Sequence, residues 1–202
     1  MSIGKKWSST MKNKLGLALL TLLMSLPASA SWELAAQDSK LNIVSVKNAV
    51  ITETHQFDRL DGGLMDNGEF SLIIDLASIN TGIEIRDTRM RDLLFKVGDY
   101  PRAVITAKLD LTQVNALQPG QITRMEATFD LNLHGKHQSM SAEITVVATQ
   151  DHGLLVNSVS PVVLRAEDFG LTEGINSLRE IAGLANINTM VPVTFTLLLN
   201  KV

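Results

Sequence analysis

The 202-residue chain contains no cysteine. Disulfide staples and thiolate metal ligands are therefore excluded, and cohesion must come from a buried core. Aromatic residues are scarce, with six Phe, one Tyr and two Trp, and there are only five Pro. No basic run occurs after residue 30. A P-loop, a dinucleotide fingerprint, a nucleophile elbow and an HExxH pair are all missing, so the common signatures of phosphate, cofactor and hydrolase chemistry are not present.

The first thirty residues carry a different kind of signal. Lys5, Lys6, Lys12 and Lys14 form a basic region without an acid, and Leu15 to Leu26 is a twelve-residue apolar run. That run falls short of the ~20 apolar residues that span a bilayer. Pro27-Ala28-Ser29-Ala30 follows, with small residues where a signal peptidase reads. The pattern predicts a secretory signal peptide over residues 1–30, cleaved after Ala30. Met11 offers a second start within it. Removal of the leader leaves 14 basic against 21 acidic residues, a net charge of −7. Such a surface does not suit nucleic acid or anionic lipid headgroups. The Lys-rich leader looks bacterial, which makes the periplasm the expected compartment. Residues 31–202 are expected to form one domain.

Short alternating runs dominate that domain. In Glu126 to His134, Ala127, Phe129, Leu131 and Leu133 share one face, and Glu126, Thr128, Asp130, Asn132 and His134 share the other. Gly135 to Gln138 reads as a turn. Met140, Ala142, Ile144, Val146 and Ala148 then alternate in their turn. Two such runs joined by a short polar turn predict an antiparallel hairpin. Weaker strands are expected at 41–47, 50–57, 69–78, 103–111, 153–159 and 191–201. Asp61-Gly62-Gly63, Asp66-Asn67-Gly68, Pro119-Gly120 and Asp151-His152-Gly153 read as turns. About eight strands with local connections suit a sandwich or an up-and-down barrel.

Two segments break the period of two. In the first, Met90, Leu93, Leu94 and Val97 take helical spacing. Thr81-x-x-Glu84 offers a capping box, and Asp87 and Arg91 stand at a pairing distance of four. This segment packs Arg86, Arg89 and Arg91 beside Asp87, Asp92 and Asp99. Gly82 is expected to supply a positive φ. The second segment runs from Thr172 to Ala185, with Ile175, Leu178, Ile181 and Ala182 on one helical face and Gly183 at its end.

Four pieces of this chain resemble the motifs of the YceI-like family. They are Ser78-Ile79-Asn80-Thr81-Gly82 followed by Arg86-Asp87; Leu94-Phe95 with Asp99-Tyr100-Pro101; Leu131-x-Leu133-His134-Gly135; and Asp168-Phe169-Gly170-Leu171. Each is weak alone, but their order and spacing are specific together, and the similarity spans residues 31–202. Two family positions differ: an early His-Ser reads Asp38-Ser39, and a Phe-x-Ser after the Tyr-Pro reads Ile105-Thr106-Ala107. The resemblance implies an all-β, eight-stranded antiparallel lipocalin-like barrel with two short helical excursions. It also implies an exported protein that holds a long amphiphile, such as a polyisoprenoid, in its lumen.

An eight-stranded barrel is either filled by its own side chains or left just wide enough for one small ligand. Small residues on the inward faces favour a lumen. The lumen-lining candidates are Ala127, Phe129, Leu131, Leu133, Ala142, Ile144, Val146 and Phe195. At the barrel mouth, Arg86 and Asp87 either hold a polar headgroup or pin the helix, and Tyr100 is expected to pack and hydrogen-bond. His134-x-x-His137 lacks a visible third ligand for a metal site, so no metal, cofactor or catalytic residue is assigned. The expected ligand is a long isoprenoid or similar amphiphilic lipid, with a quinone among the options. A membrane donor or acceptor protein is the expected partner. Two rivals stay open: an enzyme acting on such a lipid, and a solid-core barrel that binds a protein partner through its surface.

Overall fold

The computed structural model describes Met1 and residues 31–202. The leader expected over 1–30 lies, Met1 apart, outside the described residues. Twelve strands are present among the described residues: β1 (Trp32–Leu34), β2 (Lys40–Lys47), β3 (Ile51–Phe57), β4 (Leu60–Leu64), β5 (Glu69–Asp75), β6 (Ile79–Asn80), β7 (Arg102–Lys108), β8 (Ile122–Leu133), β9 (Lys136–Ala148), β10 (Leu154–Ser158), β11 (Val162–Arg165) and β12 (Met190–Lys201).

Eight of them close a ring in the order β1-β4-β5-β7-β8-β9-β10-β12, and β12 returns to β1 through Trp32↔Lys201. All pairings in the ring are antiparallel. At one end the ring continues as an open flare in the order β11-β12-β2-β3-β6. The long strand β12 belongs to both parts. Its first residues pair with β11 and β2, and its last with β10 and β1.

The β8–β9 hairpin follows from its alternation. Its register runs from Ile122↔Val147 to Leu133↔Lys136 and places Ala127 opposite Ala142. The apolar face of β8 is covered, while Glu126, Thr128 and Asp130 are exposed. The turn is tighter than the expected Gly135–Gln138. It consists of His134 and Gly135, both at positive φ (53° and 71°). Two successive positive-φ residues match the strands' right-handed twist, so β9 starts at once at Lys136.

Asp61-Gly62-Gly63, expected as a turn, lies inside β4. Gly62 has φ +152°, and a Cβ there would sit 2.1 Å from the Ser71 carbonyl oxygen. The glycine marks a close approach of β4 to β5, not a reversal of the chain. The strand expected through Leu111 stops at Lys108. Asp110 accepts from the backbone N–H and the hydroxyl of Thr112, starting a one-turn helix.

The two expected helical excursions are α1 (Glu84–Arg89), which runs into a π-helical turn (Met90–Leu94), and α3 (Thr172–Ile181); the one-turn helix α2 (Thr112–Asn115) is an addition. Gly82 has the expected positive φ, +74°. The capping box does not form. Ile83 is the N-cap, and Asp87 takes the role expected of Glu84 by accepting from the Thr81 N–H and hydroxyl. With Asp87 so engaged, and with the π turn altering the helical step after Arg89, Arg91 turns to the Thr88 hydroxyl and the Ala77 carbonyl instead of to Asp87. α3 crosses the π turn closely. A Cβ on Gly174 would lie 2.7 Å from both the Leu93 oxygen and the Leu94 Cα.

Candidate functional site: an apolar lumen and a charged mouth

The interior of the barrel is not filled. Two cavities follow one another along it, an inner one of about 90 Å³ and a middle one of about 140 Å³, and every residue lining either is apolar. Leu41, Ile105, Phe129 and Phe195 line both and form the waist between them. Each volume exceeds several-fold the ~10–15 Å³ that admits one water, yet without polar partners water gains little by entering. All eight lumen candidates face these spaces. Ala127, Ala142, Ile144 and Val146 line the inner cavity, Leu131 and Leu133 the middle one, and Phe129 and Phe195 both. The scarcity of aromatics has a pattern: all six Phe line the lumen. Phe57 and Phe95 stack at 5.8 Å in the middle cavity, beside the fully buried Phe169.

Leu111 and Val114, at the start of and within α2, form the floor of the inner cavity. Trp32 stands at this end, its indole N–H donating to the His152 carbonyl at 3.1 Å and its ring lying under the Lys201 ammonium at 3.6 Å, beside a further cavity of about 330 Å³ that shares Val114 and Leu154 with the inner one.

The other end opens into a third cavity of about 360 Å³ between β2–β3, α1 and α3. Ile43, Leu94, Ile175 and Val191 line both the middle and the outer cavity. The change in polarity is written along one ladder. On the inward face of β2 and β3, Leu41 and Phe57 are apolar, Ile43 pairs with His55, Ser45 pairs with Glu53, and Lys47 pairs with Ile51. Glu53 receives both Lys47 and Arg86, the latter at 2.7 Å. The Lys47 hydrogen bond, helped by Arg86, holds the Glu53 carboxyl below its ordinary pKa against the opposing effect of burial. His55 is only 4% exposed, and its Nε2 is 2.9 Å from the Ser45 hydroxyl. Burial, with the Arg86 charge adding, pushes the imidazole pKa down, so His55 is neutral at pH 7. Its Nδ1 is buried with no hydrogen-bond partner.

Arg86 and Asp87 do not pair with each other. Both clamp Thr81: Arg86 donates to its hydroxyl (2.8 Å) and its carbonyl (2.7 Å), and Asp87 accepts from its N–H (2.9 Å). Arg86 also lines the outer cavity, whereas Asp87 does not. Tyr100 stands elsewhere. Its ring packs on the β8–β9 turn, 4.3 Å from the His134 ring and against Gly135. His134 in turn reaches the Phe169 carbonyl at 3.2 Å, so it braces the loop that delivers Phe169 to the lumen. Among the described residues no three His, Asp or Glu side chains gather as metal ligands. Lys47, Glu53 and His55 were not expected at the site, and Arg89 was expected only as part of the charged segment. The strand Ile51–Phe57 is polar on both faces, so its alternation does not reveal which side looks inward.

A closed antiparallel barrel around an unfilled apolar lumen defines the lipocalin-like class of fold. The YceI-like domain model matches residues 32–199, and the chain belongs to the YceI-like family. It is similar to a solved polyisoprenoid binding domain from Saccharophagus degradans implicated in plant cell wall breakdown, at 38% identity over 86% of this chain and 100% of that one, with a TM-score of 0.84. Two more distant structures share the fold. BcnA of Burkholderia cenocepacia is 17% identical, with a TM-score of 0.64 over 82% of this chain and 98% of that one. The YCEI protein of Campylobacter jejuni is 14% identical, with a TM-score of 0.53 over 73% and 84%. Comparison with curated proteins gave no match.

Proposed function

We propose that this protein binds a long-chain amphiphile of the polyisoprenoid kind, with its tail in the two apolar cavities and its head in the outer one, and carries it through the periplasm. The observation behind this reading is the order of the three spaces: two wholly apolar cavities in line, then a charged one at the single flared end. The 38%-identical polyisoprenoid binding domain supports the ligand class. The basic and apolar leader pattern of residues 1–30 supports export.

A tail gains ~0.8 kcal/mol per methylene on leaving water, but a tail drawn from a bilayer is already dry. Exchange between bilayer and lumen is then close to neutral, which suits a carrier that loads and unloads. Exposed apolar side chains border the open end: Val50 and Ile51 follow the lining residue Lys47, Ile83 and Ile85 precede Arg86, and Ile181 precedes Ala182. They fit an approach to a membrane or to a lipid-donating protein. Binding is favoured over catalysis because no acid, base or nucleophile lines the two inner cavities.

The test compares lipids extracted from the parent and from Ala127→Trp, both purified from their native envelope and analysed by mass spectrometry, with N-terminal sequencing of the same samples. A prenyl-tailed amphiphile in the parent, its loss from a folded Ala127→Trp, and a chain beginning Ser-Trp-Glu are the expected results. An empty parent, together with a mutant destabilised by the ~1–3 kcal/mol of overpacking, would refute the lumen as a lipid site. Full-length chain in the membrane pellet would refute the soluble carrier.

A further inference from the structure

The outer cavity distinguishes among heads. Its charged lining comprises Lys47, Arg86 and Arg89 against the single carboxylate of Glu53. Lys47 and Arg86 are 20% and 23% exposed and both reach the same Glu53 oxygen, Oε2. The Arg89 side chain makes no hydrogen bond or ion pair among the described residues. One carboxylate therefore faces three cations. Beyond the Lys47–Glu53 pair, Lys47 and Arg89 keep ammonium and guanidinium N–H groups with no acceptor among the described residues. Asn188 and Ser45 add further polar groups to the wall, and the unpartnered Nδ1 of His55 stands beside them. The space is rich in donors and short of negative charge, while its inner wall is the apolar Ile43, Leu94, Ile175 and Val191.

Resting on the lipid-binding reading above, we propose that the outer cavity is an acid-head subsite: it selects a long-chain amphiphile ending in one phosphate or carboxylate over neutral alcohol or quinone heads. The physical reason is local. An acceptor-only anion satisfies several donors at once and neutralises cations that a neutral carbonyl leaves uncompensated. In a partly covered cavity this interaction is stronger than at an open surface. The net negative charge of the chain argues against anionic surfaces as partners. It does not govern this cavity, where the balance has the opposite sign.

The test uses the delipidated protein and three probes with one C20 tail: geranylgeranyl monophosphate, geranylgeranoic acid and geranylgeraniol. Binding is measured by calorimetry at low and at high salt. Both acids should bind about tenfold or more tighter than the alcohol, as hydrogen bonds to a charged group imply, and the gap should narrow with salt. Arg89→Ala should weaken the two acids more than the alcohol. Arg59→Ala, which removes an exposed pair with Asp75, should leave all three affinities as they were. A phosphate that binds while the carboxylate matches the alcohol would assign the site to phosphate alone. Equal binding of all three probes overturns the acid-head subsite and leaves the lumen standing. No binding of any probe overturns both readings.

Discussion

The lumen and the mouth cavity share four side chains, Ile43, Leu94, Ile175 and Val191, and are otherwise built by opposite rules. The lumen walls combine the closed ring with the inner parts of β2, β3 and β11 and with helical plugs, and every residue that lines them is apolar. The mouth walls belong to the flare, where β11 and β6 are edges and helices stand in for the missing strands. In the ring, neighbouring strands hide both faces of any inward polar group from water, so only apolar groups are tolerated. In the flare, α1 brings Arg86 and Arg89 over β2 and β3, while α3 adds the apolar Ile175 and Leu178. Polar groups there are satisfied by partners: the Glu53 carboxylate by Lys47 and Arg86, and the Thr81 N–H and hydroxyl by Asp87 and Arg86. A wall of apolar side chains alone is selective by exclusion. A wall that carries paired charges is selective by recognition.

The most forceful way to break this contrast is to place a charge in the lumen. Val146 is buried on β9 and lines the inner cavity. Val146→Asp should cost about 3–5 kcal/mol, the range seen when a buried charge is left without a partner. Urea unfolding measures it. A variant as stable as the parent would mean that water already solvates the lumen, and the distinction between the two regions would collapse.

A smaller effect is expected at the mouth, where charge is part of the framework. Arg86→Ala removes three hydrogen bonds, to Glu53 and to Thr81, and should cost about 1–3 kcal/mol. A melting temperature equal to that of the parent would show that Arg86 does not hold the Thr81 turn. Retained stability with altered bound lipid would leave it a ligand contact only.

The smallest effect sharpens the contrast by pH. His55 has a lowered pKa in the fold, so below its ordinary value of 6.5 the unfolded chain binds a proton that the folded one does not. Stability should therefore fall as pH drops below 6.5. Glu53 contributes in a lower window. Its depressed pKa means that its stabilisation is present above 4.5 and is lost as pH falls through the folded value. His55→Gln should flatten the dependence between pH 7 and 5.5 while leaving the acid limb in place. An unchanged slope would mean that His55 titrates freely.

The lumen was legible in the sequence because β8 and β9 alternate between apolar and polar, and an alternating strand announces its inner face. Strands β1 and β4 were not legible. Trp32–Leu34 is too short to show a period, and β4 carries two adjacent glycines that read locally as a turn. The mouth was partly legible. Arg86 and Asp87 stood out by charge density, but Lys47, Glu53 and His55 sit on strands whose direction is set only by pairing. In Ile51–Phe57 both faces hold polar groups, and the choice of inward face comes from its register with β2, where Ile43 meets His55 and Ser45 meets Glu53. A local pattern cannot carry that information.

One consequence of β12 concerns time. This strand closes the ring with β10 and β1 and also anchors β11 and β2 in the flare. Its pairing of Trp32 with Lys201 joins the two ends of the domain, and contacts so remote in sequence form slowly because chain entropy is lost before they are made. Until they are made, β10 and β1 are bare edges that can recruit strands from other molecules. A protein so arranged passes its most vulnerable moment just before closure, with an oily trough open to solvent on one side. A lipid that enters that trough early would act as a template for its own container, so the loaded form should be reached faster than the empty one.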